Sequence, residues 1–150
     1  MENNVKEIVL PEGWVVDKID NGIIILKEDD SKPIIKWNKE KDGVEVKVDG
    51  YYFVVANMPN ILSNWYDAQT VCEKWGGYLP SVEELKVVAK YLDAINQCFR
   101  ENDGFPMEGH FYWSSSEYSR FLAHGVGSGL GLVDNCGKGN NYYCRGFAHV

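Results

Sequence analysis

The chain is 150 residues long, 45% hydrophobic and 13% aromatic, which suits one domain with a substantial core and excludes a disordered chain. Its 15 basic and 22 acidic residues leave a net charge of -7, so nonspecific attraction to nucleic acid or to an anionic bilayer is disfavoured. The longest apolar runs, Gly22 to Leu26 and Tyr51 to Ala56, are strand-length, far short of the roughly 20 residues that cross a membrane.

In chain order, Met1 to Glu7 lack the basic and apolar stretches of a secretory signal, so none is expected. The first third then reads as short strands. Trp14 to Ile19 and Ile23 to Lys27 are β-rich, and Asp20-Asn21-Gly22 between them holds the Asn-Gly pair that turns a hairpin. Pro33 to Trp37 is a weaker strand. Val44, Val46 and Val48 alternate with Glu45, Lys47 and Asp49, which predicts a strand with one solvated face; Tyr51 to Ala56 predicts one buried on both. Ser63 or Asn64 can cap a helix carrying Trp65, Ala68, Cys72 and Trp75 at helical spacing, closed by Gly76-Gly77. Ser81 and Glu84 form a capping box opening a second helix, with Leu85, Val88, Ala89, Leu92 and Ile95 on one stripe, that runs to about Cys98. Trp65, Trp75 and Trp113 are expected in the core. Residues 101–109 read as a loop before Phe111 to Glu117, and the remainder as short strands joined by turns. The fold class is α+β, with an N-terminal β-rich region, 1–49, leading into a main domain, 50–150.

Composition changes at residue 118. Lys, Glu, Gln, Met and Trp number 33 in residues 1–117, a rate that would place about nine in residues 118–150, where Lys138 stands alone. Turn-rich β segments avoid Lys and Glu, which accounts for part of the deficit. These five types are also the ones that no codon ending in C can encode. Charge divides at the same place: Arg120, Lys138 and Arg145 against Asp134 give the tail +2, and the first 117 residues carry -9.

Two segments resemble a known family. Trp65 to Ser81, followed by Glu83-Glu84-Leu85, resembles the first helix and the following Gly-Gly-x-Leu-Pro-Ser segment of a C-type lectin-like domain. Tyr112-Trp113-Ser114-Ser115-Ser116-Glu117 is similar to a segment of its bacterial branch, which includes the C-terminal domain of the Legionella collagen-like protein and is distantly similar to formylglycine-generating enzyme. The resemblance covers roughly residues 50–150 and implies two helices packed on a small antiparallel sheet. Within that branch the tail resembles the variable region, here 118–145, of target proteins of diversity-generating retroelements. In these proteins AAC codons of a template become NNC while the scaffold is kept. Tyr118, Ala123, Val126, Gly131, Val133, Lys138 and Arg145 stand at the family's constant steps. The resemblance then implies that Arg120, Phe121, Leu122, His124, Gly127, Leu130, Leu132, Asp134, Asn135, Cys136, Gly139, Asn140, Asn141 and Tyr142 carry ligand binding. Tyr142 is expected to face outward and Tyr143 inward. The implied function is noncatalytic binding of an unknown protein or cell-surface ligand, cytoplasmic or virion-associated. An undiversified lectin-like domain with an enzyme-like or structural role is the alternative.

Other chemistry finds less support in the residues. Cys72, Cys98, Cys136 and Cys144 show no CxxC spacing and His110, His124 and His149 are scattered, so no zinc site is expected. The Glu-Pro-Asn or Gln-Pro-Asp and Trp-Asn-Asp triplets of calcium-dependent sugar binding do not occur, and no cofactor is expected. Ser114 to Ser116 lack a nucleophile elbow and read as scaffold. Without an export signal the cysteines read as reduced thiols. In secreted C-type lectins the first-helix cysteine pairs with one in the last strand, so the resemblance implies that Cys72 and Cys144 are close in space.

Overall fold

A computed structural model describes residues 9–28 and 32–150; Met1 to Glu7, the segment on which the expectation about a secretory signal rests, lies outside the described residues. The described chain is mixed α+β, with three helices and eleven strands in three sheets. β1 (Trp14–Asp20) and β2 (Ile23–Glu28) form the expected hairpin, turned by Asn21 and Gly22 at φ of 49° and 77°. β3 (Ile34–Asn38), β4 (Gly43–Val48) and β5 (Tyr51–Ala56) pair antiparallel, so part of the segment before residue 50 belongs to the same sheet as the segment after it. β4 has no solvated face. It lies between β3 and β5, and Glu45, only 6% exposed, accepts a 3.0 Å hydrogen bond from Asn38 Nδ2 and lies 3.4 Å from Lys36 Nζ. In β5 Phe53 to Ala56 are buried, whereas Tyr52 is half exposed.

β6 (Ile61–Ser63) leads to α1 (Trp65–Lys74), capped by Asn64, whose Oδ1 accepts from Asp67 N at 2.9 Å. Ala68 and Cys72 form its buried stripe and Gly76, at φ 78°, ends it. Trp75 is 46% exposed rather than in the core, because it sits at the C-cap, where the backbone has left the helical stripe. The expected second helix is two. α2 (Val82–Lys90), opened by the Ser81–Glu84 capping box, stops at Tyr91, and α3 (Leu92–Glu101) restarts there. α2 packs on the sheet that contains the tail and α3 on β3 and β4, so each half follows a different sheet.

β7 (Phe111–Glu117), β8 (Leu122–Gly127), β9 (Val133–Gly137) and β10 (Tyr142–Cys144) join β6 in a five-stranded sheet ordered β6-β10-β7-β8-β9. β10 runs parallel to β7. The short β11 (Phe147–Ala148) crosses to the other sheet and pairs with β5. The larger core, with Val44, Val46, Phe53, Val88, Ile95 and Phe99, extends from the four-stranded sheet through α2 and α3 to Tyr112 and Val126. A smaller core gathers Ala68, Cys72, Leu79, Trp113, Ala123, Cys136 and Cys144 beneath α1. No helix among the described residues is long and apolar enough to cross a membrane.

Candidate ligand-binding face

Two buried cations hold the tail in place. Lys138, 4% exposed, donates to Glu117 Oε2 at 2.8 Å and to the Arg120 carbonyl at 3.0 Å, with its ammonium 4.6 Å from the centre of the Trp65 ring. Its backbone N–H donates to Phe121 and its carbonyl accepts from Trp65 N, both at 3.0 Å, so one residue ties the β7–β8 connection to the start of α1. Arg145 is fully buried. Nη1 donates to the carbonyls of Ala56 (3.0 Å) and Phe105 (2.8 Å), and Nη2 to Asn60 Oδ1 (2.8 Å) and the Pro106 carbonyl (3.2 Å). Burial pulls its guanidinium down to about 10, still charged at neutral pH. Tyr112 donates to the same Asn60 Oδ1 at 2.7 Å, and burial pushes its phenol up to about 12.

On this frame the tail residues separate by exposure. Ala123, Val126, Lys138 and Arg145 are buried, whereas Arg120, Phe121, Leu130, Leu132, Asp134, Asn135, Gly139, Asn140 and Asn141 are exposed. Leu122, His124, Gly127 and Tyr142 are half-buried. Cys136 is a correction: at 5% exposure it packs against Ala123 and Trp113, because its place opposite Ala123 in the β8–β9 ladder turns its side chain inward. Among the constant steps Tyr118 (60%) and Val133 (40%) are exposed, so those two positions do not follow the division. Tyr142 and Tyr143 do not divide as outward and inward either. Both are half-buried, Tyr142 edge-on to Trp113 at 5.0 Å and Tyr143 stacked on His110 at 5.5 Å.

The exposed residues form two groups. Arg120 and Phe121, the guanidinium 5.5 Å from the ring centre, lie where β7 turns into β8. Leu130 and Leu132 lie at the other end of the β8–β9 hairpin, about 17 Å away at about 3.3 Å per strand residue. The segment after Lys138 returns from the Phe121 end and brings Asn141 and Tyr142 beside Phe111. Phe111 and His110 border two adjoining clefts. One, about 310 Å³, is completed by Leu62, Asn141, Tyr142 and Tyr143, and the other, about 260 Å³, by Gly127, Leu130, Leu132 and nearby glycines. Leu62, His110, Phe111 and Tyr143 were not among the expected binding residues. Phe111 carried no signal of such a role, since strand alternation puts it on the face of the buried Trp113 and so predicts a core position.

Of the three serines read as scaffold, Ser114 is buried, its Oγ donating to the His124 carbonyl at 2.7 Å and accepting from Ser116 N at 3.2 Å. All four cysteines are free. Cys72 and Cys144 lie together in the smaller core; the interaction of the two thiols and burial push Cys72 up, the same interaction draws Cys144 down, and Cys144 Sγ donates to the Ile61 carbonyl at 3.5 Å. Burial also pushes Cys98 and Cys136 up. No group of three or more His, Cys, Asp or Glu able to hold a metal occurs among the described residues. No family model matches the chain, and no curated protein matches it in sequence.

Proposed function

We propose that the chain is a noncatalytic, C-type lectin-like binding protein whose tail is the variable region of a diversity-generating retroelement target, taking a protein or cell-surface ligand. One observation carries this reading. Four of the seven constant steps, Ala123, Val126, Lys138 and Arg145, hold the interior, and only Cys136 among the fourteen expected binding residues is buried. None of the exposed positions of residues 118–150 carries Lys, Glu, Gln, Met or Trp, although packing does not bar Lys, Glu or Gln from a surface. Rigidity supports the same reading, because side chains presented from a locked backbone lose less freedom on binding. All four thiols are buried, Cys144, the one drawn down, completely so, which favours a noncatalytic reading over cysteine chemistry, since the nucleophile is a thiolate that a substrate can reach.

The gene tests the proposal. The codons of Phe121, His124 and Asp134 are expected to end in C. A reverse transcriptase gene is expected nearby, beside a near-copy of the last hundred or so bases that differs almost only at adenines. Other third bases at those codons, or a locus with neither element, would remove the diversified reading and leave an undiversified domain of the same kind.

A further inference from the structure

We infer that Phe111, outside the tail, is a constant anchor point on this face, seating an uncharged aromatic or branched aliphatic side chain of a protein partner. The inference rests on the reading of the face as a binding surface and adds a part of it that variation does not touch. Phe111 opens β7 and is a wall of both clefts, so an occupant of either one meets its ring. The residue is half-buried, and on the side of β8 only glycines face its ring. Gly127 is its direct partner in the ladder, and a Cβ there would stand 3.7 Å from Phe111 Cε1; a Cβ at Gly125 would stand 3.6 Å from Cδ1. The two glycines differ in freedom. A side chain at Gly125 would meet Cys136 Sγ at 2.9 Å, whereas at Gly127 every neighbour lies at ordinary contact distance. Position 127 can therefore vary, and what stands there sets how much of the Phe111 ring a ligand can reach.

The chemistry of the occupant follows from the lining. No Asp, Glu, Lys or Arg borders either cleft, in a chain of net charge -7, so a carboxylate, phosphate or ammonium group would lose its hydration and find no counter-charge. The ring surroundings are already ordered: Tyr142 stands edge-on to Phe111 at 6.5 Å and His110 is stacked on Tyr143. An entering ring adds to an existing aromatic cluster at little cost in side-chain freedom. Size favours a protein over a small molecule. Clefts of about 310 and 260 Å³ on either side of one ring are at or below the lower limit for enclosing a drug-sized ligand, about 300 Å³, but suit two neighbouring side chains of one surface. The rim of Tyr, Asn and Gly matches the composition with which antibody loops surround an aromatic hot spot.

The test uses the full chain and three probes, N-acetyltryptophanamide, N-acetylleucinamide and methyl α-mannopyranoside, titrated while backbone amide resonances are followed. The tryptophan and leucine amides are expected to shift Phe111, Gly127 and Leu132 at millimolar concentration, and the mannoside to shift none of them. Gly127→Val, whose Cβ meets nothing closer than 3.7 Å and whose methyls add bulk beside the ring, should weaken the tryptophan probe at least tenfold. Tyr52→Ser, which removes an exposed ring on the other sheet, should change it less than twofold. Shifts elsewhere or nowhere, mannoside binding at Phe111, or undiminished binding in Gly127→Val would overturn the inference. C-ending codons with no binding at Phe111 would sink this inference alone, and the reverse result would sink only the diversified reading.

Discussion

At the scale of single residues, the tail depends on two cations that the core has enclosed. Glu117 is 56% exposed at the side chain, so its ion pair with Lys138 contributes less than about 1 kcal/mol. Most of the effect of Lys138 lies in the bond to the Arg120 carbonyl and the contact with Trp65. Lys138→Met should lower stability by about 2 kcal/mol, seen as a lower urea midpoint at unchanged slope. Arg145→Lys should cost more, about 3 kcal/mol, because one ammonium cannot reach the four acceptors that the planar fork serves. The buried phenol of Tyr112 predicts a response to alkali. The folded protein holds that proton to about pH 12 whereas an unfolded tyrosine releases it near 10, so the contribution is complete below pH 10 and is lost as pH rises to 12. Tyr78, pushed up by burial and its bond to Glu84, acts in the same direction. Arg145 opposes them, since its folded form gives up its proton first. Urea midpoints should fall between pH 10 and 12, and fall less steeply in Tyr112→Phe. Neither cation could be singled out by burial from sequence, because Lys and Arg are almost always exposed.

At the scale of elements, local chemistry and tertiary packing divide the work. The capping box at Ser81 and the Asn-Gly turn act over a few residues and are legible in the chain; Ser81→Ala should cost about 1 kcal/mol by thermal or urea unfolding. The stop between α2 and α3 falls in Lys90-Tyr91-Leu92, which has neither Gly nor Pro to announce it. There Tyr91 N–H is shared between the carbonyls of Val87 and Val88, and the chain re-aims so that α3 can follow β3 and β4. Two glycines show where packing is closest. A Cβ at Gly77 would meet the Phe147 carbonyl at 2.6 Å, where β11 comes against the end of α1, and nothing lies within 4 Å of one at Gly139. Gly77→Ala should therefore cost about 2 kcal/mol or more and Gly139→Ala less than about 0.5 kcal/mol, compared by urea midpoints.

At the scale of the whole molecule, an acidic scaffold supports a nearly neutral surface, because Lys138 and Arg145 are buried and the tail exposes Arg120 against Asp134. The combined variant Phe121→Ser, Leu130→Asn, Leu132→Ser changes three side chains that are 60% exposed or more, and should shift stability by less than about 1.5 kcal/mol in total. Cys136→Tyr, also a change between C-ending codons, should cost about 2 kcal/mol or more because that side chain is buried in the smaller core, its thiol close against Gly125. By itself the sequence determined the α+β class, the first hairpin, the helix caps and the composition boundary at residue 118, since each depends on short-range periodicity, turn chemistry or counting. Only the tertiary structure decided that Cys136 points inward, that Tyr118 and Val133 are exposed, and that Phe111 and Leu62 join the tail in one face. Those outcomes depend on ladder register and on which strands lie side by side, and these bring together residues as far apart as Leu62 and Tyr143, which the one-dimensional pattern cannot relate.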